Sequence, residues 1–388
     1  MAAPTKHAKL NSSGAHRWMN CPGSVKISEQ FPASSSIYAD EGTLAHDAAE
    51  QLIKSGKVSA AHKKKINTFY EEHPELSGDA DQVIKTLEPY VDFVKEEFTD
   101  AVMQDGGAQL LTEQRVDLTA WIPGGFGTTD VAIIGGKTLH IVDLKYGKGV
   151  PVFAEGNPQL RLYALGTLAM LEMVYDIDEV KMTIYQPRID NVSSDTISAV
   201  ELKSWGENEV KPAAELALSD NAPFAAGSWC QFCPARQQCR TRAENYMSLA
   251  EYKKKALLSV EEIGKILGDV DGLVKWAEDL KEGALTRALE GENFPGWKVV
   301  EGRSIRKYSG TEDEIVRQCE GAGYDHALLY ETKLLTVSAM EKMMGKKQFA
   351  EVLGDYVEKP AGKPTLAPES DKRPAIVNAT AAEDFADE

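Results

Sequence analysis

Apolar residues recur along this chain at two periods. In residues 42–55, GTLAHDAAEQLIKS, Leu44, Ala48 and Leu52 stand four apart and predict a helix. Residues 60–105 are charged and helical in pattern, with Leu87, Tyr90, Val91 and Val94 on one side. Three short β-rich runs follow, AQLLTEQRVDL, GTTDVAII and TLHIVDLKY, set apart by the pairs Gly124–Gly125 and Gly135–Gly136. Residues 157–175 then read as a long helix, with Asn157 as its N-cap and Pro158 in its first turn. VKMTIYQPRI returns as a strand. Helix, three strands, helix, strand is the order of an α/β core. Beyond Cys239 the pattern changes. Ser259 and Glu262 form a capping-box signature, and Ile263, Ile266, Val270, Val274 and Leu280 follow at helical spacing. GWKVVEGRSIRKYSG reads as a strand or hairpin, short helices fill 311–357, and the Pro-, Ala- and acid-rich stretch from about 360 is expected to be disordered.

Composition narrows this picture only slightly. The 388 residues suggest two or three domains, and 43% hydrophobic content is enough for a sizeable core. No run approaches the roughly 20 apolar residues of a membrane span, and MAAPTKHAKLNSSG has no apolar segment of a secretory signal. A soluble cytoplasmic protein without membrane partners is expected. A net charge of −17 argues against nonspecific polyanion binding by the whole surface, but leaves room for a local basic channel and for acids gathered at a metal site. Five cysteines, three of them crowded, suggest metal or cluster ligation, not a disulfide framework.

Candidate chemistry concentrates in two places. The first spans the β-rich runs. Asp130 and Asp143 lie on two strands, and Lys145, two residues beyond Asp143, leaves the same strand face. His46 sits on the first long helix, while Gln159 and Tyr163, four apart, share a helix face. Taken singly, these residues read as an ion pair, a helix histidine and a polar helix edge. In order, Gly42-Thr-Leu-Ala-His46, Asp130, Asp143-Leu-Lys145 and Gln159-Leu-Arg-Leu-Tyr163 resemble the PD-(D/E)XK nucleases, specifically their RecB-like branch. The resemblance implies a restriction-endonuclease-like core, a mixed sheet flanked by helices. His46, Asp130, Asp143 and the Leu144 backbone carbonyl would hold Mg²⁺ or Mn²⁺, consistent with an oxygen-rich set plus one imidazole. Lys145 would orient water or stabilise phosphorane charge, and Gln159 and Tyr163 would steady the site. Glu41 and Glu113 are lesser candidate carboxylates. There is no G-x-S-x-G elbow and no phosphate-binding P-loop.

The second place is SWCQFCPARQQC, with Cys230, Cys233 and Cys239. Near the N-terminus, LNSSGAHRWMNCPGSV is similar to the opening of RecB-like nucleases that carry an iron–sulfur cluster, the AddB-type and CRISPR-associated members. The resemblance assigns Cys21, with Pro22 beside it, as the fourth ligand of a [4Fe–4S] cluster; structural zinc is the alternative. Cys319 has no partner motif. Tying residue 21 to 230 closes a loop of about 209 residues, a constraint of about 5 kcal/mol on the chain-entropy model.

These readings divide the chain into a nuclease domain over 1–245, with a helical insertion at about 58–106 and an iron–sulfur clasp, a mainly helical accessory region over 246–359, and a disordered tail over 360–388. The function implied is a metal-dependent deoxyribonuclease, an exonuclease of phage-type replication and recombination. Its partners would be DNA and a single-strand-binding or annealing protein, and its location the bacterial host cytoplasm if phage-encoded. A non-catalytic DNA-binding or scaffold protein that keeps the fold is the alternative. Candidate nucleic-acid contacts are Arg161 and Arg188 near the site, and Arg303, Arg306 and Lys307, which stand with Trp297 and Tyr308 in a basic, aromatic stretch. Lys63–Lys65 and Lys253–Lys255 read as solvated helix faces.

Overall fold

The computed structural model describes residues 8–31, 36–247, 259–300, 311–322, 325–326, 329–330 and 334–357. The chain divides into two compact units, Met1–Pro295 and Gly296–Glu388. In the first unit, α1 (Ala15–Asn20), α2 (Ser24–Ser28), α3 (Ile37–Ser55), α4 (Ala60–Glu72) and α5 (Ala80–Gln104) precede β1 (Gln109–Asp117), β2 (Phe126–Gly135) and β3 (Thr138–Leu144). Then come α6 (Pro158–Leu171), β4 (Glu179–Gln186), β5 (Asn191–Ser198), α7 (Ala199–Trp205), α8 (Lys211–Leu218), α9 (Arg240–Met247) and α10 (Val260–Leu289). In the second unit the described helices are α11 (Glu312–Gly321), α12 (Val337–Met344) and α13 (Lys346–Leu353). No described helix is long and apolar enough to cross a membrane.

Local chemistry sets the helix boundaries. Ser36, Ser59 and Asp79 cap α3, α4 and α5 by accepting from Ala39, His62 and Gln82 amides, and Gly56 ends α3 at φ 69°. Asn157 accepts from both Gln159 and Leu160 ahead of Pro158, as expected for α6. The expected capping box opens α10, with Ser259 and Glu262 exchanging hydrogen bonds. The helix expected to reach residue 175 stops at Leu171, and Met173 and Val174 beyond it stand exposed.

The five strands lie in sequence order, β1-β2-β3-β4-β5. The β3–β4 pair is parallel and bridged by α6; the other three pairs are antiparallel. The fold is therefore a mixed five-stranded sheet flanked by helices. Alternation sends Ala132, Ile134, Leu139, Ile141, Val180, Met182 and Ile184 to one face, where they bury Trp18 of α1 and the apolar residues of α6, α7 and α8. α6 is apolar on nearly every side and is buried accordingly. Val131, Ile133, Val142 and Leu144 pack on the other face against α3, α4 and α5.

Three features differ from the sequence reading. The helices of the expected insertion, α4 and α5, are a layer of the core: Leu87, Tyr90, Val91 and Val94 share a cluster with the sheet. β5 escaped notice because its pattern NVSSDTIS offers only Val192 and Ile197 as apolar residues; it is a polar edge strand reached through a turn with Asp190 at φ 53°. The start of the expected hairpin, 297–300, takes no regular structure. Residues 301–310, with Arg303, Arg306, Lys307 and Tyr308, as well as Lys253–Lys255 and the tail from 358, lie outside the described residues.

A polar network crosses the second core. Glu97 of α5 lies 3.1 Å from His140 Nδ1 and accepts from Lys181 Nζ at 3.0 and 2.8 Å, while His140 Nε2 and Thr183 Oγ1 are 2.8 Å apart. The His140 hydrogen bond, reinforced by Lys181 against the effect of burial, holds the Glu97 carboxyl down at about 2, from an ordinary 4.5. A depressed carboxyl contributes stability above its ordinary pKa and loses it as pH falls toward the native value. Urea unfolding midpoints should therefore fall more steeply between pH 4.5 and 2 for wild type than for Glu97→Gln; parallel curves would refute the assignment.

Candidate metal centre

The site lies where β2 and β3 part. Their ladder ends at Val131–Val142, and beyond it Asp130 Oδ2 accepts from the Leu144 amide at 2.7 Å. Its other oxygen, Oδ1, faces His46 Nδ1 of α3 at 3.1 Å. On β1, Glu113 falls opposite Asp130, between the pairs Thr112–Val131 and Gln114–Thr129. Its backbone has φ 48°, a left-handed conformation that costs a non-glycine residue about 1–3 kcal/mol and clusters at functional sites. Ligand atoms of His46, Glu113 and Asp130 all lie within 4.8 Å of one another, the only such trio of metal-ligand side chains among the described residues.

Beside this trio runs a second chain of contacts. Asp143 is 2% exposed and its Oδ2 lies 2.9 Å from Lys145 Nζ. The two form a largely buried ion pair. Lys145 Nζ also donates to Gln159 Oε1 at 2.9 Å, and Gln159 Nε2 donates to Tyr163 Oη at 2.9 Å. The i, i+4 spacing on α6 that suggested a shared face thus produces a direct link. Gly127 of β2 makes room for it, since a Cβ there would meet the Tyr163 ring at 2.8 Å.

The electrostatics follow from crowding. Burial alone would depress His46, but the Asp130 carboxylate outweighs it and lifts the imidazole to about 9. In return His46 keeps Asp130 below the usual carboxylate range despite burial. Burial, with repulsion from Asp130, raises Glu113 to about 7; burial also raises Asp143 against the pull of Lys145. Three carboxyl groups thus share a low-dielectric corner with only His46 and Lys145 to answer them. That donor set fits a hard divalent cation, which would take the place of the His46 proton. His46, Asp130 and Glu113 would be its nearest ligands, with Asp143 beside them. Leu144 enters the arrangement through its amide.

Glu113, a lesser candidate in the sequence, is therefore part of the centre, whereas Glu41 is not. Glu41 is buried in a separate network, accepting from Tyr70 Oη at 2.7 Å and Arg188 Nη1 at 2.8 Å. Arg188 also stacks on Tyr146 at 4.8 Å, so its guanidinium is committed to this framework. Arg161 lies 3.6 Å from Asp195 and faces the Trp205 ring.

The four cysteines, over two hundred positions apart at the extremes, line one small cavity. Cys21, Cys230 and Cys233 are buried and Cys239 is partly so. The Ala225 amide donates to Cys21 Sγ at 3.4 Å and the Gly227 amide to Cys230 Sγ at 3.5 Å. Burial raises the thiols of Cys230 and Cys233. Arg17 and Arg242, which sequence reasoning passed over, line the same cavity, and each has a buried Nε without an acceptor. Their positions, four before Cys21 and three after Cys239, were the available signal. Stranded donors around four sulfurs fit an anionic metal–thiolate group. Cys319, on α11 of the second unit, is partly exposed.

A family sequence profile matches residues 7–374, nearly the whole chain. The chain belongs to the family described as "Protein of unknown function (DUF2800)". Among solved structures, this DUF2800 protein is similar to one described as "Crystal structure of SSO0001", at 15% identity over 52% of this chain and 96% of that one, with a TM-score of 0.21. At that score the likeness does not establish a shared fold.

Calorimetric titration with Mn²⁺ checks the ligand set. Asp130→Asn should abolish binding, and Glu113→Gln should weaken it by about 10–100-fold. Wild-type affinity in Glu113→Gln would remove Glu113 from the centre.

Proposed function

We propose that this DUF2800 protein is a metal-dependent deoxyribonuclease with a PD-(D/E)XK core of the RecB-like type. The observation that carries the reading is the convergence at one strand divergence of His46, Glu113, Asp130 and Asp143 with the chain Lys145–Gln159–Tyr163. Bound Mg²⁺ or Mn²⁺ would polarise the scissile phosphate and acidify a water. The protein's own contribution is positioning and charge. Asp130 is oriented by spending one oxygen on the Leu144 amide, which leaves the other for the centre. Lys145 is held between Asp143 and Gln159, so its ammonium is fixed where negative charge develops on the phosphorane. Tyr163 fixes the orientation of the Gln159 amide. The role we favour is an exonuclease of phage-type replication and recombination that exposes single strands for a single-strand-binding or annealing protein.

The test is degradation of linear DNA labelled at the 5′ or 3′ end, single- and double-stranded, with Mg²⁺ or Mn²⁺ and a circular control. Asp143→Ala should be inactive and Lys145→Ala slower by about 10²–10³. If wild type is as inert as both variants on every substrate, the enzyme reading fails.

We further propose that Cys21, Cys230, Cys233 and Cys239 hold a [4Fe–4S] cluster. The four cysteines line one cavity with the guanidiniums of Arg17 and Arg242, which supports an anionic group there. Protein purified without oxygen should be brown with about four irons per chain. Each Cys→Ser variant should lose iron and melt at lower temperature, whereas colourless, zinc-containing protein would replace the cluster with zinc.

A further inference from the structure

The cysteine cavity is walled by three guanidiniums, those of Arg17 on α1, Arg236 on the loop before α9, and Arg242 on α9. Their positive charge meets a single buried carboxylate, Asp279 of α10, which is 1% exposed. Arg242 Nη1 donates to Asp279 Oδ2 at 2.5 Å, and Arg236 Nε lies 3.4 Å from its Oδ1. Lys275, half exposed, adds a looser contact at 3.6 Å and is answered by Glu278 at 3.7 Å. Among the described residues, Arg17 meets only the Phe232 carbonyl, 2.9 Å from its Nη1. One carboxylate cannot answer three guanidiniums, so two positive charges are left over around the cavity, while Arg242, 2% exposed, is tied to Asp279. Of the arginines lining the cavity, Arg17 and Arg242 have a buried Nε without an acceptor, and they lie on opposite sides of the four sulfurs in the sequence. Uncompensated buried charge of this kind is strongly destabilising unless something nearby carries the opposite sign.

We propose that the cysteine centre carries two negative charges, balanced by Arg17 and Arg242, and that Arg242, shared between the centre and Asp279, makes the docking of α10 depend on the centre being filled. The inference rests on the metal–thiolate reading of the four cysteines. An oxidised [4Fe–4S] core with four thiolates has this net charge, and the two stranded Nε–H groups supply the charge-assisted hydrogen bonds it would accept. Asp279 is the buried polar anchor of α10. Around it the helix presents Gly272 to the Tyr246 hydroxyl and Gly283 to Gln237, while Trp276 stacks on Tyr246 at 5.8 Å. Every one of these partners lies on the segment that follows Cys233. Emptying the centre leaves Arg17, Arg236 and Arg242 repelling one another with only Asp279 between them, and the segment that anchors α10 loosens with them. Arg17 and Arg242 are positioning residues: they act through the centre and through Asp279.

Hydrogen exchange read by mass spectrometry on the full chain, isolated without oxygen, tests this. Iron and zinc are first quantified. The centre is then stripped with ferricyanide and a chelator. Amides of residues 272–287 should exchange at least about tenfold faster after stripping, while β3 and α6 change less. A metal-loaded protein whose α10 exchange is unaffected by stripping overturns the coupling and leaves the metal reading standing. Protein that holds neither iron nor zinc after anaerobic reconstitution overturns the metal reading, and the coupling with it. Because Arg242→Gln alone strands Asp279, the informative variant is Arg242→Gln with Asp279→Asn, a neutral pair of similar shape. It should fold, and its α10 exchange should be the same with and without the centre; retention of the wild-type difference overturns the role of Arg242. Arg17→Gln, which leaves the Asp279 pair intact, should shift the centre's reduction potential to more negative values, and an unchanged potential overturns the charge balance.

Discussion

The repulsion among Asp130, Asp143 and Glu113 is the constraint on which the arrangement of the first unit turns. Carboxylates taken out of water lose several kcal/mol of solvation each unless paired, and three together compound that loss. His46 and Lys145 answer only part of it, and the left-handed backbone of Glu113 adds strain. A chain left to relax would splay these side chains into solvent. It cannot, because β1, β2 and β3 are fixed from both faces: Ala132, Ile134 and Ile141 are locked under α6, and Val131, Val142 and Leu144 under α3 and α5. The free energy of two apolar cores holds an unfavourable charge distribution in place, one that the proposed cation would complete.

The geometry of the strands decides which residues meet there. β2 and β3 stop pairing at the point where Asp130 and Asp143 emerge, so Asp130 can turn one oxygen to a backbone amide of the neighbouring strand and the other to α3. The parallel step from β3 to β4 requires a crossover, and the crossover is α6. The helix that the topology demands is therefore the one that presents Gln159 to Lys145.

This also explains what was legible in the sequence. Asp143 and Lys145 are two apart on a strand, and Gln159 and Tyr163 four apart on a helix; both spacings fix which side chains share a face. Glu113 obeys the same period, but nothing in TEQRVD announces a left-handed backbone or the carboxylate across the ladder. α5 is readable as a helix from Leu87, Tyr90, Val91 and Val94, yet its apolar face could as well have closed on α4 as on the sheet. β5 hides its strand character in polar residues because it lies at the edge. The partnership of Arg242 with Asp279 spans 37 positions and has no periodic signature at all.

The cysteine centre can influence the acidic one only through packing, and the path is short. Cys21 follows α1, whose Trp18 is buried in the same core as Leu160 and Tyr163 of α6. The turn before α1 places Ser12 beside Gly127, against the face of β2 that the Tyr163 ring also touches. Drawing Cys21 to the loop of Cys230 and Cys233 presses α1 behind α6. α6 sets Gln159, and Gln159 holds Lys145. The proposed clasp would take no part in chemistry, but it would remove the slack from the helix on which the position of the ammonium depends. The tolerance for such slack is small: a shift of about 1 Å at a catalytic group can cost about 10²-fold in rate. That would be a sufficient physical reason for a chain to recruit a ligand from the end of its first helix and close it against a loop more than two hundred residues away.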